Sequence, residues 1–74
     1  MSKVELLRRL IGKEVYINYS GGCFFISEDG PGLSYIIKEA NTDFLEVEDK
    51  PNISPELKRK HYYDINTIAR IILR

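Results

Sequence analysis

This chain of 74 residues contains one cysteine, one histidine and no excess of charge of either sign. Cys23 alone forms no internal disulfide. With a single histidine beside it, a closed zinc site of four Cys or His ligands is not expected. Lys plus Arg is 11 and Asp plus Glu is 11, so the formal net charge is zero. A nucleic-acid-binding domain commonly carries a basic excess, so any such role here needs a local patch. No apolar run approaches the roughly 18 residues of a membrane-spanning helix. The apolar residues at the N-terminus are interrupted by Glu5, Arg8 and Arg9, which argues against a secretion signal. A lone thiol without such a signal points to a reducing, cytoplasmic location. There is no glycine-rich phosphate loop ending in Gly-Lys-Ser, no nucleophile elbow and no paired-histidine motif. The expectation is a protein that is not an enzyme, with no metal, cofactor, small-molecule substrate or membrane attachment.

What is present is a soluble globular balance, 43% hydrophobic and 30% charged. The length gives one domain over residues 1–74. A domain of this size buries only about 60% of the surface of its unfolded chain. Without a disulfide or a metal, self-association is the remaining route to extra burial.

Ser2-Lys3-Val4-Glu5 is a capping-box pattern, in which the Ser2 hydroxyl accepts from the Glu5 amide. Val4, Leu7 and Ile11 then share one helical face, with Leu6 and Leu10 beside them. Arg8 and Arg9 lie where cations complement the helix dipole, and Gly12 supplies a stop. The spacing predicts a helix over 2–11, too short to be stable alone, that covers one end of a core.

Period-two patterning follows. Val15, Ile17 and Tyr19 alternate with Glu14, Tyr16 and Asn18. Gly21-Gly22 is a hairpin turn. Cys23-Phe24-Phe25-Ile26 is a short apolar run, closed by the breaker cluster Asp29-Gly30-Pro31-Gly32. Leu33, Tyr35 and Ile37 share one face of a further strand, and Asn41-Thr42 turns the chain. Leu45 and Val47 then point inward, opposite Phe44, Glu46 and Glu48. Pro51 to Pro55 is a loop, and Ser54-Pro55-Glu56 has helix-starting chemistry for a turn or two through about Lys60. The run His61 to Leu73 reads as two strands around a tight polar turn at Asn66-Thr67. The predicted fold is mainly β: a small, strongly bent antiparallel β-barrel of about five strands over 13–49 and 61–73, with an N-terminal helix. Closure removes sheet edges in such a small protein.

This order, with Leu10-Ile11-Gly12-Lys13-Glu14-Val15 after the helix, resembles the Sm-like family, which includes the bacterial Hfq proteins. Tyr35 to Asp49, two strands around a short polar turn, is similar to that family's first motif. Ile65-Asn66-Thr67-Ile68 resembles its second. The resemblance implies a small barrel that assembles into rings and binds RNA. The positions that would carry its RNA contacts are substituted. The family's asparagine falls near Phe44, its Arg-Gly pair near Asp64-Ile65, and the Lys-His pair of Hfq near Tyr62-Tyr63. Fold and assembly therefore carry over, and uridine-type binding at a central pore does not.

Four groups of residues merit a chemical reading. Lys58, Arg59 and Lys60, followed by Tyr62, are the candidate nucleic-acid contact, since cations neutralise phosphates and aromatics stack on unpaired bases. The alternative is a solvated basic loop that protects an edge strand. Ile71, Ile72 and Leu73 make the last strand apolar on both faces, as expected of a strand paired with another subunit. Cys23 with His61 could form a nucleophile and base, and Glu46, Glu48 and Asp49 could hold a hard cation. The simpler readings are a small hydrophobe, a surface histidine and a solvated face. Two functions are weighed: an oligomeric Sm-like module that binds RNA or other single-stranded nucleic acid, and a Tudor-like protein-interaction adaptor that does not.

Overall fold

The computed structural model describes residues 2–28, 32–50 and 58–73. Its elements are a helix α1 (Lys3–Arg9), strands β1 (Glu14–Ser20), β2 (Cys23–Ser27), β3 (Leu33–Ala40), β4 (Phe44–Asp49) and β5 (Lys60–Asp64), a 3-10 turn (Ile65–Thr67), and β6 (Ile68–Ile72). The six strands form one sheet in the order β5-β4-β3-β1-β2-β6. Every ladder is antiparallel except β2–β6, which is parallel. The expected antiparallel barrel of about five strands is thus a mixed, open sheet of six.

The local signals explain most elements. The Ser2 side chain accepts from the Glu5 amide at 3.2 Å, and Gly12 takes φ +85° just beyond the helix. Gly21 and Gly22, at φ +62° and +85°, supply the positive angles that a two-residue hairpin turn needs between paired Ser20 and Cys23. Asn41 Oδ1 accepts from the amides of Asp43 and Phe44, at 2.8 and 2.9 Å, which closes the β3–β4 turn.

The expected terminal hairpin does not form. β5 and β6 lie at opposite edges of the sheet, and each pairs with a different inner strand. A 3-10 turn rather than a two-residue turn connects them, capped by Asp64, whose Oδ1 accepts from the Asn66 amide at 2.9 Å. In a flat sheet those edges would stand about 24 Å apart. The chain from Asp64 to Ile68 reaches roughly 14 Å at full extension. The sheet must therefore roll. Phe24 on β2 indeed meets Tyr63 on β5 edge to face, with ring centroids 5.0 Å apart. Strands four places apart in a flat sheet would be about 19 Å from each other.

Inside the roll lie Val15, Ile17, Ile26, Tyr35, Ile37, Ala40, Leu45, Val47, Ile65 and Ile68. Two irregularities set which residues point in. The β3–β4 register shifts between Ile37 and Glu39, so Ile37 and Ala40 both face the core. The β2–β6 register shifts opposite Ala69, so Ile68 and Ile71 both turn inward.

Helix α1 covers one end of this core. Leu7 and Leu10 are buried and Val4 packs against them, but Ile11 is 45% exposed and does not complete the expected stripe. The helix is tied down by Arg8 Nε donating to the Ala40 carbonyl at 3.0 Å and Lys3 Nζ donating to the Ile65 carbonyl at 3.3 Å. Its exit is fixed to β3 by the Gly12 amide on the Ile37 carbonyl at 2.8 Å. Of the helical turn expected up to about Lys60, residues 51–57 lie outside the described residues. Lys58 and Arg59 are not helical, and Lys60 begins β5.

Leu7→Ala should lower stability by about 2–5 kcal/mol, as for other fully buried leucines. Ile11→Ala should stay within about 0.5 kcal/mol. Urea denaturation of both variants checks this, and comparable losses would contradict the placement of α1.

Candidate functional site

The clearest concentration of polar chemistry lies along β4 and β5, at the edge of the roll. Alternation on β5 places His61 and Tyr63 inward and Lys60, Tyr62 and Asp64 outward. On β4, Leu45, Val47 and Asp49 share the inner parity, and Phe44, Glu46 and Glu48 share the outer one.

The inner group is a connected network. Asp49 Oδ1 lies 3.0 Å from His61 Nε2, and its Oδ2 accepts from the Arg59 amide at 3.0 Å. The Asp49 amide in turn donates to the Arg59 carbonyl at 3.2 Å, so both the backbone and the side chain of Asp49 hold the start of β5. The His61 ring meets Tyr35 edge to face at 5.3 Å. Burial pushes the Tyr35 phenol up to about 12, reinforced by its hydrogen bond with Tyr63 and by the nearby Asp49 charge. Nothing in this network resembles a poised nucleophile. Cys23 Sγ is taken up at the β1–β2 turn by the Ser20 and Gly21 carbonyls, at 3.6 and 3.9 Å. Cys23 and His61 thus have separate partners.

The acidic run is dispersed in the same way. Glu48 pairs with Lys38 at 3.6 Å, Asp49 turns inward to His61, and Glu46 takes the hydroxyl of Tyr62. Among the described residues no group of three or more His, Cys, Asp or Glu is placed to hold a metal ion. A separate surface cluster sits at the other end of β1. Glu14 accepts from the Ser34 hydroxyl at 2.8 Å and the Tyr16 hydroxyl at 3.2 Å, and pairs with Lys50 at 3.1 Å. The Ser34 bond, then Lys50, hold its carboxyl below the usual range.

Lys58, Arg59 and Lys60 are brought together at the start of β5, with Arg59 and Lys60 exposed and Lys58 half-buried. Tyr62 is 59% exposed, one outward position further along. Its surroundings are not basic. Its ring meets Phe44 edge to face at 5.4 Å. Its hydroxyl hydrogen-bonds the Glu46 carboxylate, and that bond, with burial and the Glu46 and Glu39 charges, raises the phenol above its ordinary value. Tyr63, its neighbour, packs against the core.

The apolar end of the chain divides. Ile71 packs inward against the core, Ile72 is half-buried, and Leu73 is 46% exposed at the outer edge. Phe24 meets Tyr63 at the core and the exposed Tyr19 ring on its other side, while Phe25 is half-buried.

Sequence reasoning missed the inner role of Asp49 and the partnership of Phe44, Glu46 and Tyr62. Parity alone shows only which face each residue takes. Asp49 follows Leu45 and Val47 on one face, and Phe44 precedes Glu46 on the other. The cross-strand register that brings Asp49 to His61 and Glu46 beside Tyr62 is not readable from parity.

Comparison with family models, with curated proteins and with solved structures finds no match for this chain. No helix among the described residues is long and apolar enough to cross a membrane.

The Tyr35 phenol has a folded pKa above its unfolded value, so its contribution to stability is complete below about pH 10. That contribution should be lost as pH rises toward about 12. Alkaline unfolding followed by circular dichroism should show a steeper decline in this window for the wild type than for Tyr35→Phe. Equal slopes would contradict the buried Tyr35–Tyr63 pair.

Proposed function

We propose that this chain is a non-enzymatic, self-associating module, a small barrel of the Sm-like kind whose copies join through their sheet edges. One observation carries the reading: the two edge strands of the rolled sheet, β5 and β6, are consecutive in the chain and have no ladder to each other among the described residues. An edge strand presents unpaired backbone donors and acceptors, and evolution normally covers or blunts it. Pairing β6 of one copy with β5 of the next satisfies both edges at once. Such a head-to-tail contact uses two different surfaces, and repeated by rotation it closes into a ring. Ile72 on β6 and Leu73 just beyond it would be covered in the contact, while Ile71 serves the core of its own subunit. The order of a short helix, a rolled sheet and a 3-10 turn before the last strand supports the Sm-like comparison. β2, interposed between β1 and the last strand, is an addition to a minimal barrel.

Within this reading, single-stranded RNA or other nucleic acid would be met by Lys58, Arg59 and Lys60 at the exposed start of β5. Tyr62 contributes least to such a contact, because Glu46 and Glu39 stand beside it and repel phosphate. That same observation favours the second reading, an adaptor of the Tudor-like kind that binds protein and not nucleic acid.

Light scattering behind size exclusion should give a stable multiple of the 8.6 kDa chain at low and high salt, and Ile72→Asp should reduce it to a monomer. A monomeric wild type at every concentration would overturn the assembly. Replacing Lys58 and Lys60 together by Ala should weaken oligonucleotide binding. It should also lower the salt slope by about 1.4, at ~0.7 per phosphate contact on a single strand. An unchanged slope would remove those lysines from the contact.

A further inference from the structure

The outer face of β3, β4 and β5 combines aromatic and acidic side chains in a way that neither core packing nor edge pairing explains. The register sets Glu39 beside Glu46, and Glu46 beside Tyr62, in a single row across three strands. The next row places Phe44 beside Asp64. Phe44 and Tyr62 meet at 72° with centroids 5.4 Å apart. An edge-to-face pair occupies one ring face and leaves the others clear of that contact. The lysines of this face, Lys38 and Lys60, both lie beside Glu48, Lys38 by an ion pair at 3.6 Å and Lys60 by strand register, and among the described residues neither Glu39 nor Glu46 has a lysine or arginine ion-pair partner. A solvated sheet face ordinarily leaves few large aromatics exposed.

We propose that this face is a docking surface for a basic, extended segment of a partner protein, with an arginine or lysine side chain seated against Tyr62 and Phe44 and beside Glu46 and Glu39. The chemistry is complementary at both levels. A cation is attracted to the negative faces of aromatic rings within about 6 Å of the centroid. The two carboxylates add direct charge pairing and, for arginine, acceptors for its planar fork of donors. The edge-to-face packing of Phe44 on Tyr62 holds the ring in place beside Glu46 before a ligand arrives, which reduces the ordering cost of binding. Phosphate is disfavoured by the same carboxylates. The surface uses outward side chains of β3, β4 and β5, whereas the proposed self-association uses the backbone edge of β5, so separate measurements test the two.

The test is a titration of the isotopically labelled full chain, followed by nuclear magnetic resonance, with two short Gly/Ser peptides. One carries two arginines and the other carries citrulline, which has the same shape without the charge. The arginine peptide should move the ring signals of Phe44 and Tyr62 and the amide of Glu46. It should bind at least tenfold more tightly than the citrulline peptide. Tyr62→Leu and Glu46→Gln, both changes on the outer face, should each weaken binding at least fivefold while leaving the rest of the spectrum in place. Ring signals that stay still, equal binding of both peptides, or loss-free variants would overturn the proposal. So would stronger movement of the same signals by an eight-residue oligo(dT), which would assign the face to nucleic acid. Movement on raising the protein concentration alone would assign it to a second copy and overturn it equally.

Discussion

The short link from Asp64 to Ile68 is the constraint on which the rest of the molecule depends. It joins strands that belong to opposite edges of a six-stranded sheet, and it is too short to span that sheet if flat. The sheet has to curl until its edges approach, and curling creates an interior. Residues that would line one face of an open sheet, such as Val15, Ile37, Leu45 and Ile26, then enclose each other. The two register shifts belong to the same requirement. Bulges sharpen twist and bend a strand, and those in β3 and β6 also recover an inward residue three positions on, Ala40 after Ile37 and Ile71 after Ile68.

A roll of so few strands has an open end, and here the helix covers it. Leu7 and Leu10 enter the core while Arg8 and Lys3 bond to carbonyls of Ala40 and Ile65. Those carbonyls lie at the end of β3 and in the 3-10 turn. The helix thus fastens two of the places where the sheet is most irregular. Its seven residues would not persist alone, so helix and roll support each other.

The same roll sorts polar chemistry into two environments. Inward, Asp49 bonds His61 and the His61 ring packs on the buried Tyr35 at the margin of the core, where half-buried polar contacts of this kind help to specify one packing. Outward, Glu39, Glu46, Phe44 and Tyr62 share a solvent-facing surface whose lysines, Lys38 and Lys60, lie beside Glu48. In the proposed reading, the edges serve backbone pairing between copies and the outer face receives a cationic side chain.

What the sequence determined by itself is whatever depends on near neighbours. Ser2 and Glu5 start the helix, Gly21-Gly22 turns the first hairpin, and Asn41 turns the second. The alternation of Val15 with Ile17, Tyr35 with Ile37 and Leu45 with Val47 shows which face each strand buries. These signals act over two to four residues, where covalent geometry alone brings the groups together. The tertiary structure alone decided that β5 and β6 part company, that β2 and β6 run parallel, and that Asp49 serves His61 rather than an acidic patch. It also decided which of Tyr62 and Tyr63 entered the core. Each of these depends on pairing between strands remote in the chain, and a period of two says only that faces alternate, not which neighbour a face will meet.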